Sequence, residues 1–542
     1  MKVLVLGGVA AGTKVAAKLM REDRSCEVTV LTKGKDISYA GCGLPYYVGG
    51  VIQEKSGLIV NTPEKFAALT GAGVKTETEA VAVHPDRHAV EAKDLKTGEI
   101  TEYGYDKLVI ATGASPFVPP VQGLDLKNVF VMRTPDDAIG LREAVEAGEI
   151  RRAVVAGGGF IGLEVAENLA AKGVKTTVID FAPHVLPNFL DPELSEFVEN
   201  RMAEAGIMPM TGVSLEGVEG DGKVEKVLTS RRGMKADALV LAIGIRPNTG
   251  FLEGSGIEMF KGTILTDRHL RTNVPDVYAA GDCAMVTNRQ TGKAAWSPMG
   301  STANIAGRIL ARDIAGKEVA YPGVLGTGVA RLSGGLNAGR TGLTETAARA
   351  EGYDVETVVT VVDDKAHYYP GAGSFIVKLT ADKATRKLLG VQVLGAGAVD
   401  KITDIGVTAI SLGATVDQLA VMDFAYAPPF STAIHPFAHS VNILMNKLDG
   451  ELETFTPAEF AAGAAEGYEI IDCAIEPSLP GKKYLNLTKV DGEVPGLGRE
   501  DKLLLVCAKG KRAYLTQNRL KFYGYVNTRV LEGGTTFNEI EE

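Results

Sequence analysis

A chain of 542 residues is too long for a single hydrophobic core, so about three or four domains are expected. Its residues are 45% hydrophobic and 23% charged, and the net charge of −10 is spread without any block of like charges. That balance describes an ordinary acidic globular protein and argues against a nucleic-acid partner or electrostatic attachment to a membrane.

The apolar start, residues 3–12, is glycine-rich and runs unbroken into an amphipathic segment, which is not the pattern of a signal peptide. No stretch of ~18 uninterrupted apolar residues follows, so no membrane span is expected. Five cysteines in so long a chain do not read as a disulfide framework, and a reducing cytoplasm is the expected compartment.

Residues 2–6 are β-like, residues 10–21 have helical periodicity, and residues 27–31 are β-like again. The same rhythm recurs at 152–156, 162–172 and 176–180. Glycines stand where each first strand meets its helix, so two dinucleotide-binding domains are predicted. The second signature, Gly157-Gly158-Gly159-Phe160-Ile161-Gly162, fits G-x-G-x-x-G. Its glycines allow a tight turn and let backbone N–H groups approach a pyrophosphate. Asp180 ends the next strand, where a carboxylate accepts hydrogen bonds from an adenosine ribose. No Arg or Lys follows within residues 181–187, so NADH is favoured over NADPH. The first signature, Gly7-Gly8-Val9-Ala10-Ala11-Gly12, departs from the pattern at Val9, and Thr32 stands where an acidic residue is usual. A Thr hydroxyl bonds a ribose less strongly than a carboxylate does.

Cys42 lies in the loop Ser38-Tyr39-Ala40-Gly41-Cys42-Gly43-Leu44-Pro45-Tyr46-Tyr47. A lone cysteine is more often a buried apolar residue than a nucleophile. Among Gly and Pro beside a cofactor crevice, however, a thiolate is placed to be exposed and stabilised. Tyr47 occupies the position of the second sulfur in a C-x-x-x-x-C pair, so a disulfide or persulfide on Cys42 is expected to be made with substrate.

Further β runs at 107–110 and 238–243 lead into Ala111-Thr112-Gly113 and Gly244, and Val277–Asp282 repeats the pattern. From about residue 321 to 447 the texture becomes β-rich and then helical, as in an α+β domain. Residues 447–456 read as a linker. About 90 residues remain, enough for one small α/β domain.

Taken together, these segments resemble the pyridine nucleotide–disulfide oxidoreductases of the single-cysteine type, and within them the coenzyme A-disulfide reductases fused to a rhodanese domain. The resemblance is carried by residues 38–50 (SYAGCGLPYYVGG), 105–113 (YDKLVIATG), 157–164 (GGGFIGLE), 273–282 (NVPDVYAAGD), 367–372 (HYYPGA) and 426–430 (YAPPF). It implies an α/β architecture with two Rossmann-like domains, an α+β dimerisation domain and a small α/β rhodanese-like domain. The expected boundaries are 1–115 with 245–320 for FAD, 116–244 for NAD, 321–447 for dimerisation and 457–542 for the rhodanese-like domain.

By the same resemblance FAD is bound by Gly7, Gly8, Gly12, Thr112, Gly113 and Asp282. Thr32, Lys33, Gly157, Gly159, Gly162, Glu164, Asp180 and Gly244 complete the cofactor-contacting set. Cys42 is implied as the redox nucleophile. Tyr368 and Tyr426 are implied to reach the substrate pocket from the other subunit of a homodimer. Gly41 replaces an Asn usual in the family, while Ser38, Lys18 and Arg21 remain to contact coenzyme A. Lys18 and Arg21 also suit an ordinary solvated helix face.

At the C-terminus, a buried run at 502–506 leads into Cys507-Ala508-Lys509-Gly510-Lys511-Arg512, with Leu531-Glu532-Gly533-Gly534 near the end. A cysteine at a helix N-terminus beside Lys509 and Arg512 favours a thiolate or persulfide and an anionic sulfur donor. The start of this domain is eroded at Asp472-Cys473-Ala474, so an active sulfur carrier and a degenerate docking module both stay open. Cys26, Cys283 and Cys473 read as packing residues, and His435 as a proton relay or a structural histidine. No cysteine or histidine spacing suits a metal.

The activity expected is NADH-dependent, FAD-mediated reduction of coenzyme A disulfide, coenzyme A persulfide or polysulfide through Cys42. The alternatives are an NADH oxidase or peroxidase working through a Cys42 sulfenic acid, and a redox-sensing or sulfur-relay flavoprotein.

Overall fold

In the computed structural model, which describes residues 1–540, Lys2–Leu6 is a strand whose last four residues are all buried. Continuous burial of that kind belongs to a parallel strand covered on both faces. It lies at the centre of a five-stranded parallel sheet ordered Val277–Ala279, Lys107–Ile110, Lys2–Leu6, Glu27–Leu31, Gly73–Lys75. Helix Ala10–Glu22 makes the first crossover and buries Val15, Ala16 and Leu19. A second parallel sheet is ordered Met208–Met210, Lys175–Ile179, Arg152–Ala156, Ala238–Leu241, Val129–Val131, with helix Phe160–Ala171 as the corresponding crossover. Both expected βαβ units are present. In each, the central strand's C-terminal end is the switch point at which open α/β sheets bind ligands.

The chain divides into two units, Met1–Val185 with Gly206–Val324 and Leu186–Ala205 with Leu325–Glu542. Both parallel sheets above belong to the first unit. In the second, an antiparallel sheet runs in the order Gly328–Arg331, Asn337–Gly342, Leu388–Gly395, Ser374–Asp382, Val355–Asp363. Helices Val399–Leu412 and Pro436–Leu448 join its core through Ile402, Ala409, Phe437, Val441 and Leu444. A final parallel sheet is ordered Thr454–Phe455, Thr528–Leu531, Leu503–Val506, Glu469–Asp472, Lys483–Tyr484.

Two expected boundaries differ from the structure. The stretch read as a linker, 447–456, is structured at both ends: helix Pro436–Leu448 runs into it, and Thr454–Phe455 pairs with Val530 and Leu531 as an edge strand. Residues 186–205, expected within the NAD-binding stretch 116–244, group with the second unit. The reason is a buried ion cluster. Lys378, only 2% exposed, meets Asp191 at 3.0 Å, Glu193 at 2.5 Å and Glu345 at 2.8 Å. Asp191 also accepts from the Gln392 amide at 2.6 Å. Burial disfavours each of these charges, but their mutual attraction outweighs it: Asp191 is held down to about 2 and the Lys378 ammonium is pushed up.

No helix among the described residues is long and apolar enough to cross a membrane.

Candidate active site

The two glycine turns have the same geometry. Gly7 and Gly157 take φ of +114° and +117°, and a Cβ on Gly12 or Gly162 would lie 1.9 Å from the carbonyl oxygen of Gly7 or Gly157. Any larger residue at those sites would push the helix off its strand. Val9, the departure from the motif, sits at φ −111°, so its position does not demand glycine. Gly159 has open space around its α-carbon. These glycines thus carry no Cβ where a pyrophosphate approaches, and the residues present fit two dinucleotides.

Asp180 accepts hydrogen bonds from Gly158 N–H at 2.6 Å and Ala182 N–H at 2.8 Å, fixing the second turn to its strand end. Thr32, at the equivalent place in the first unit's other sheet, is buried and its side chain packs toward Gly8. Lys33 pairs with Glu79 at 2.8 Å. The Thr112 hydroxyl donates to the Asn248 carbonyl at 2.8 Å, and the Asn248 amide returns a bond to Thr112 at 3.0 Å. Gly113 and Gly244 both take positive φ, at the ends of the strands neighbouring the two central ones. Arg133 approaches Asp282 at 3.5 Å, and burial pushes that carboxyl up against the opposing pull of Arg133. Asn248 and Arg133 escaped the sequence reading because neither sits in a spaced motif.

Cys42 is exposed, in a single 3₁₀ turn, Gly41–Gly43, that continues into helix Leu44–Val48. The protein around it does not favour a thiolate. Desolvation, then the charges of Glu164 and Asp282, push its thiol up, and only Arg133 opposes them. Glu164 bonds the Tyr46 hydroxyl at 3.1 Å. Burial raises its carboxyl to about 7 even though that hydrogen bond pulls the other way. Tyr47 is buried under the Arg142 guanidinium, 4.5 Å from its ring.

A cavity of about 330 Å³ opens beside the first helix, lined among others by Val9, Lys14, Arg21, Ser38 and Tyr39. Ser38 is held there by its N–H bond to the Gly8 carbonyl at 2.8 Å. Lys18, expected here with Arg21, instead pairs with Glu22 one turn on. Lys14, on the same face by helical spacing, lines the cavity.

Within the second unit, the Tyr368 and Tyr426 hydroxyls lie 3.5 Å apart on exposed side chains. His435 caps helix Pro436–Leu448, its Nδ1 accepting from Phe437 N–H at 3.2 Å. Burial, then Lys401, push its imidazole down to about 4, so the structural role expected for it has a definite form. Cys507 is 4% exposed, in a cluster with Ile471, Cys473, Leu503 and Leu505. The two cations expected to face its sulfur are committed elsewhere. Lys509 donates to Asp363 at 2.5 Å and Ser374 at 2.8 Å, and Arg512 donates to the Cys473 carbonyl at 3.1 Å. Burial raises the Cys473 thiol to about 12 and also raises that of Cys283, which is fully buried.

Residues 1–299 match the family model for pyridine nucleotide-disulphide oxidoreductases, and residues 334–438 match that family's dimerisation domain. The chain is 36% identical over 443 residues to an NAD(P)H sulfur oxidoreductase (CoA-dependent) of Pyrococcus abyssi, covering 82% of this chain and 98% of that protein. It is 33% identical over 451 residues to an NADH oxidase of Methanocaldococcus jannaschii, covering 83% and 100%. The solved structure of an NAD-dependent persulfide reductase from A. fulgidus aligns with a TM-score of 0.93 at 35% identity, over 99% of this chain and 100% of that one. With two dinucleotide turns in one unit and a matched dimerisation sheet in the other, this chain is an enzyme that belongs to the pyridine nucleotide-disulphide oxidoreductase family of FAD- and NAD(H)-dependent oxidoreductases.

Proposed function

We propose that this enzyme uses NADH to reduce a small disulfide or persulfide, with Cys42 as its single redox cysteine. The observation that carries this reading is an exposed Cys42 whose usual partner position, 47, holds a buried tyrosine. Bound FAD, held by Gly7, Gly8, Gly12, Thr112, Gly113 and Asp282, supplies the relay of two electrons from the nicotinamide. Gly157, Gly159, Gly162 and Asp180 hold NADH, and Glu164 and Gly244 border it.

The Cys42 thiolate attacks one sulfur of the substrate. The substrate S–S bond breaks, a thiolate or hydrosulfide leaves, and a mixed disulfide or a persulfide forms on Cys42. Two electrons from NADH then restore the thiolate. A disulfide RSSR with NADH and one proton thus gives two RSH and NAD⁺; a persulfide RSSH gives RSH, H₂S and NAD⁺. Glu164, poised near 7 beside Tyr46, limits the negative charge near Cys42 while it stays protonated.

Lys14, Arg21 and Ser38 suit the phosphates of a nucleotide carrier, and coenzyme A is the carrier proposed. Tyr368 and Tyr426 of a second copy in a homodimer complete the substrate pocket. The C-terminal module, Thr454 onward, is proposed as a rhodanese-like domain in which Cys507 carries sulfane sulfur; as a docking module it would leave every donor's turnover unchanged.

A second reading, NADH oxidase or peroxidase, is favoured by the exposure of Cys42 and by the similarity to the Methanocaldococcus protein. Stopped-flow reduction by NADH followed by reoxidation separates the two. Fast reoxidation by coenzyme A disulfide, coenzyme A persulfide or polysulfide is expected. Fast reoxidation by oxygen or peroxide alone would establish the second reading instead.

A further inference from the structure

Strand Val355–Asp363 lies at the edge of the dimerisation sheet, and the C-terminal module is fastened along it at two points. In mid-strand, Val359 N–H donates to Glu532 Oε2 at 2.7 Å, while Glu532 Oε1 accepts from Lys447 Nζ at 2.8 Å and the Thr454 hydroxyl at 2.6 Å. Glu532 is buried, so withdrawing it from three donors would strand a charge among unsatisfied groups.

The second fastening is at the strand's end, where Lys509 Nζ donates to Asp363 at 2.5 Å and to the Ser374 hydroxyl at 2.8 Å. Asp363 and Ser374 are the last paired residues of their ladder, so Lys509 spans the mouth of the hairpin loop 364–373. That loop closes on itself through Asp364 N–H to the Gly373 carbonyl at 3.0 Å and Gly373 N–H to Asp364 Oδ1 at 2.8 Å. It carries Tyr368, whose hydroxyl meets that of Tyr426.

Lys509 stands two positions after Cys507, and the backbone leading to it is pinned. Thr535 N–H donates to the Cys507 carbonyl at 3.2 Å and Thr536 N–H to that of Ala508 at 3.0 Å. A Cβ on Gly534 would lie 1.9 Å from the Cys507 carbonyl oxygen, so the tail packs against this loop without slack. With the backbone fixed and the ammonium shared between two hairpin residues, a displacement of the Cys507 loop cannot occur without moving Lys509.

We propose that Lys509 is a positioning residue that couples the Cys507 loop to the tyrosine hairpin, so that the state of one sets the geometry of Tyr368 and Tyr426. The coupling itself is structural. Its effect on turnover rests on the proposed role of the tyrosines at the substrate.

The test uses full-length holoenzyme carrying Lys509→Gln, Lys509→Arg or Tyr368→Phe. Hydrogen–deuterium exchange of residues 364–373 reads the coupling without reference to activity. Lys509→Gln is expected to speed that exchange about threefold or more, and Lys509→Arg to restore it. Stopped flow reads the consequence: flavin reduction by NADH is unchanged, and reoxidation by coenzyme A disulfide slows about three- to fivefold through KM, as fits loss of a half-exposed ion pair. Adding Tyr368→Phe to Lys509→Gln is expected to cost less than the sum of the two. Unchanged exchange in residues 364–373 overturns the coupling. If exchange rises but Tyr368→Phe alone leaves reoxidation untouched, the proposed role of the tyrosines fails and the coupling stands.

Discussion

Cys42 and Cys507 each stand in a glycine-containing loop beyond a parallel strand, yet their surroundings are opposite. Cys42 is exposed, near carboxyls that discourage its charge and a single arginine that favours it. Cys507 is enclosed by aliphatic side chains, and its neighbouring cations are bonded to a carboxylate, a hydroxyl and a backbone carbonyl. The same contrast runs through the two units. The first leaves Lys14 and Arg21 beside an open cavity; the second buries Lys378 and Glu532 in bonded clusters, the latter with the partly buried Lys447. A basic residue next to a cysteine in sequence therefore says little about that cysteine until its head group has been traced to its partner.

The sharpest way to break this comparison is to remove each sulfur in turn. Cys42→Ser is expected to slow reoxidation by coenzyme A disulfide at least about a thousandfold while leaving flavin reduction by NADH intact. Cys507→Ser should leave that disulfide reaction within about twofold. An equal loss in stopped flow would show that the enclosed sulfur, too, takes part in disulfide chemistry.

Next comes stability. Lys378→Met strands three carboxylates in the second unit and is expected to cost about 3–5 kcal/mol, measured as a fall in the thermal midpoint. Lys14→Ala, by contrast, should cost less than about 0.5 kcal/mol and act instead on the KM for a coenzyme A substrate.

A smaller effect separates His435 from a proton relay. Its folded pKa, about 4, lies below the ordinary histidine value of 6.5, so the unfolded chain takes up the proton first as pH falls. Its contribution is complete above about pH 6.5 and is lost toward pH 4, on the order of 2–3 kcal/mol. His435→Asn keeps an acceptor for Phe437 N–H but does not titrate, so the fall in thermal midpoint between pH 7 and pH 4 should shrink. If the variant also altered the pH profile of turnover, the relay reading would return.

Smallest is the effect of Glu164→Gln. As Glu164 ionises through about pH 7 it adds negative charge near Cys42 and raises the thiol further. The neutral glutamine should therefore shift the pH midpoint of iodoacetamide alkylation of Cys42 downward. A shift upward would mean that Glu164 acts on the thiol other than through its charge.

Both nucleotide turns were legible in the sequence because their glycines answer a backbone requirement, and Cys42 because glycine and proline leave it no core to join. The pairing of Lys18 with Glu22 one turn on was not legible, because periodicity assigns a face but not a partner. The association of residues 186–205 with the second unit was hidden for a different reason. It depends on Lys378, far along the chain, inside a strand that otherwise reads as apolar. Strand Thr454–Phe455 is too short and too polar to announce itself, the partner of Lys509 exists only once the C-terminal module has docked, and that of Arg512 only once the module itself has folded.

Arg142 has a consequence for how such enzymes interconvert. Besides lying over the Tyr47 ring, it donates to the carbonyls of Tyr47, Ile52 and Gln53 at 3.0–3.3 Å. The residue standing where a second sulfur would be is thus part of the foundation of the loop that presents the first. Tyr47→Cys would supply a sulfur and take away the surface on which Arg142 rests, so a route from one-sulfur to two-sulfur chemistry has to rebuild this anchor before the new cysteine is useful.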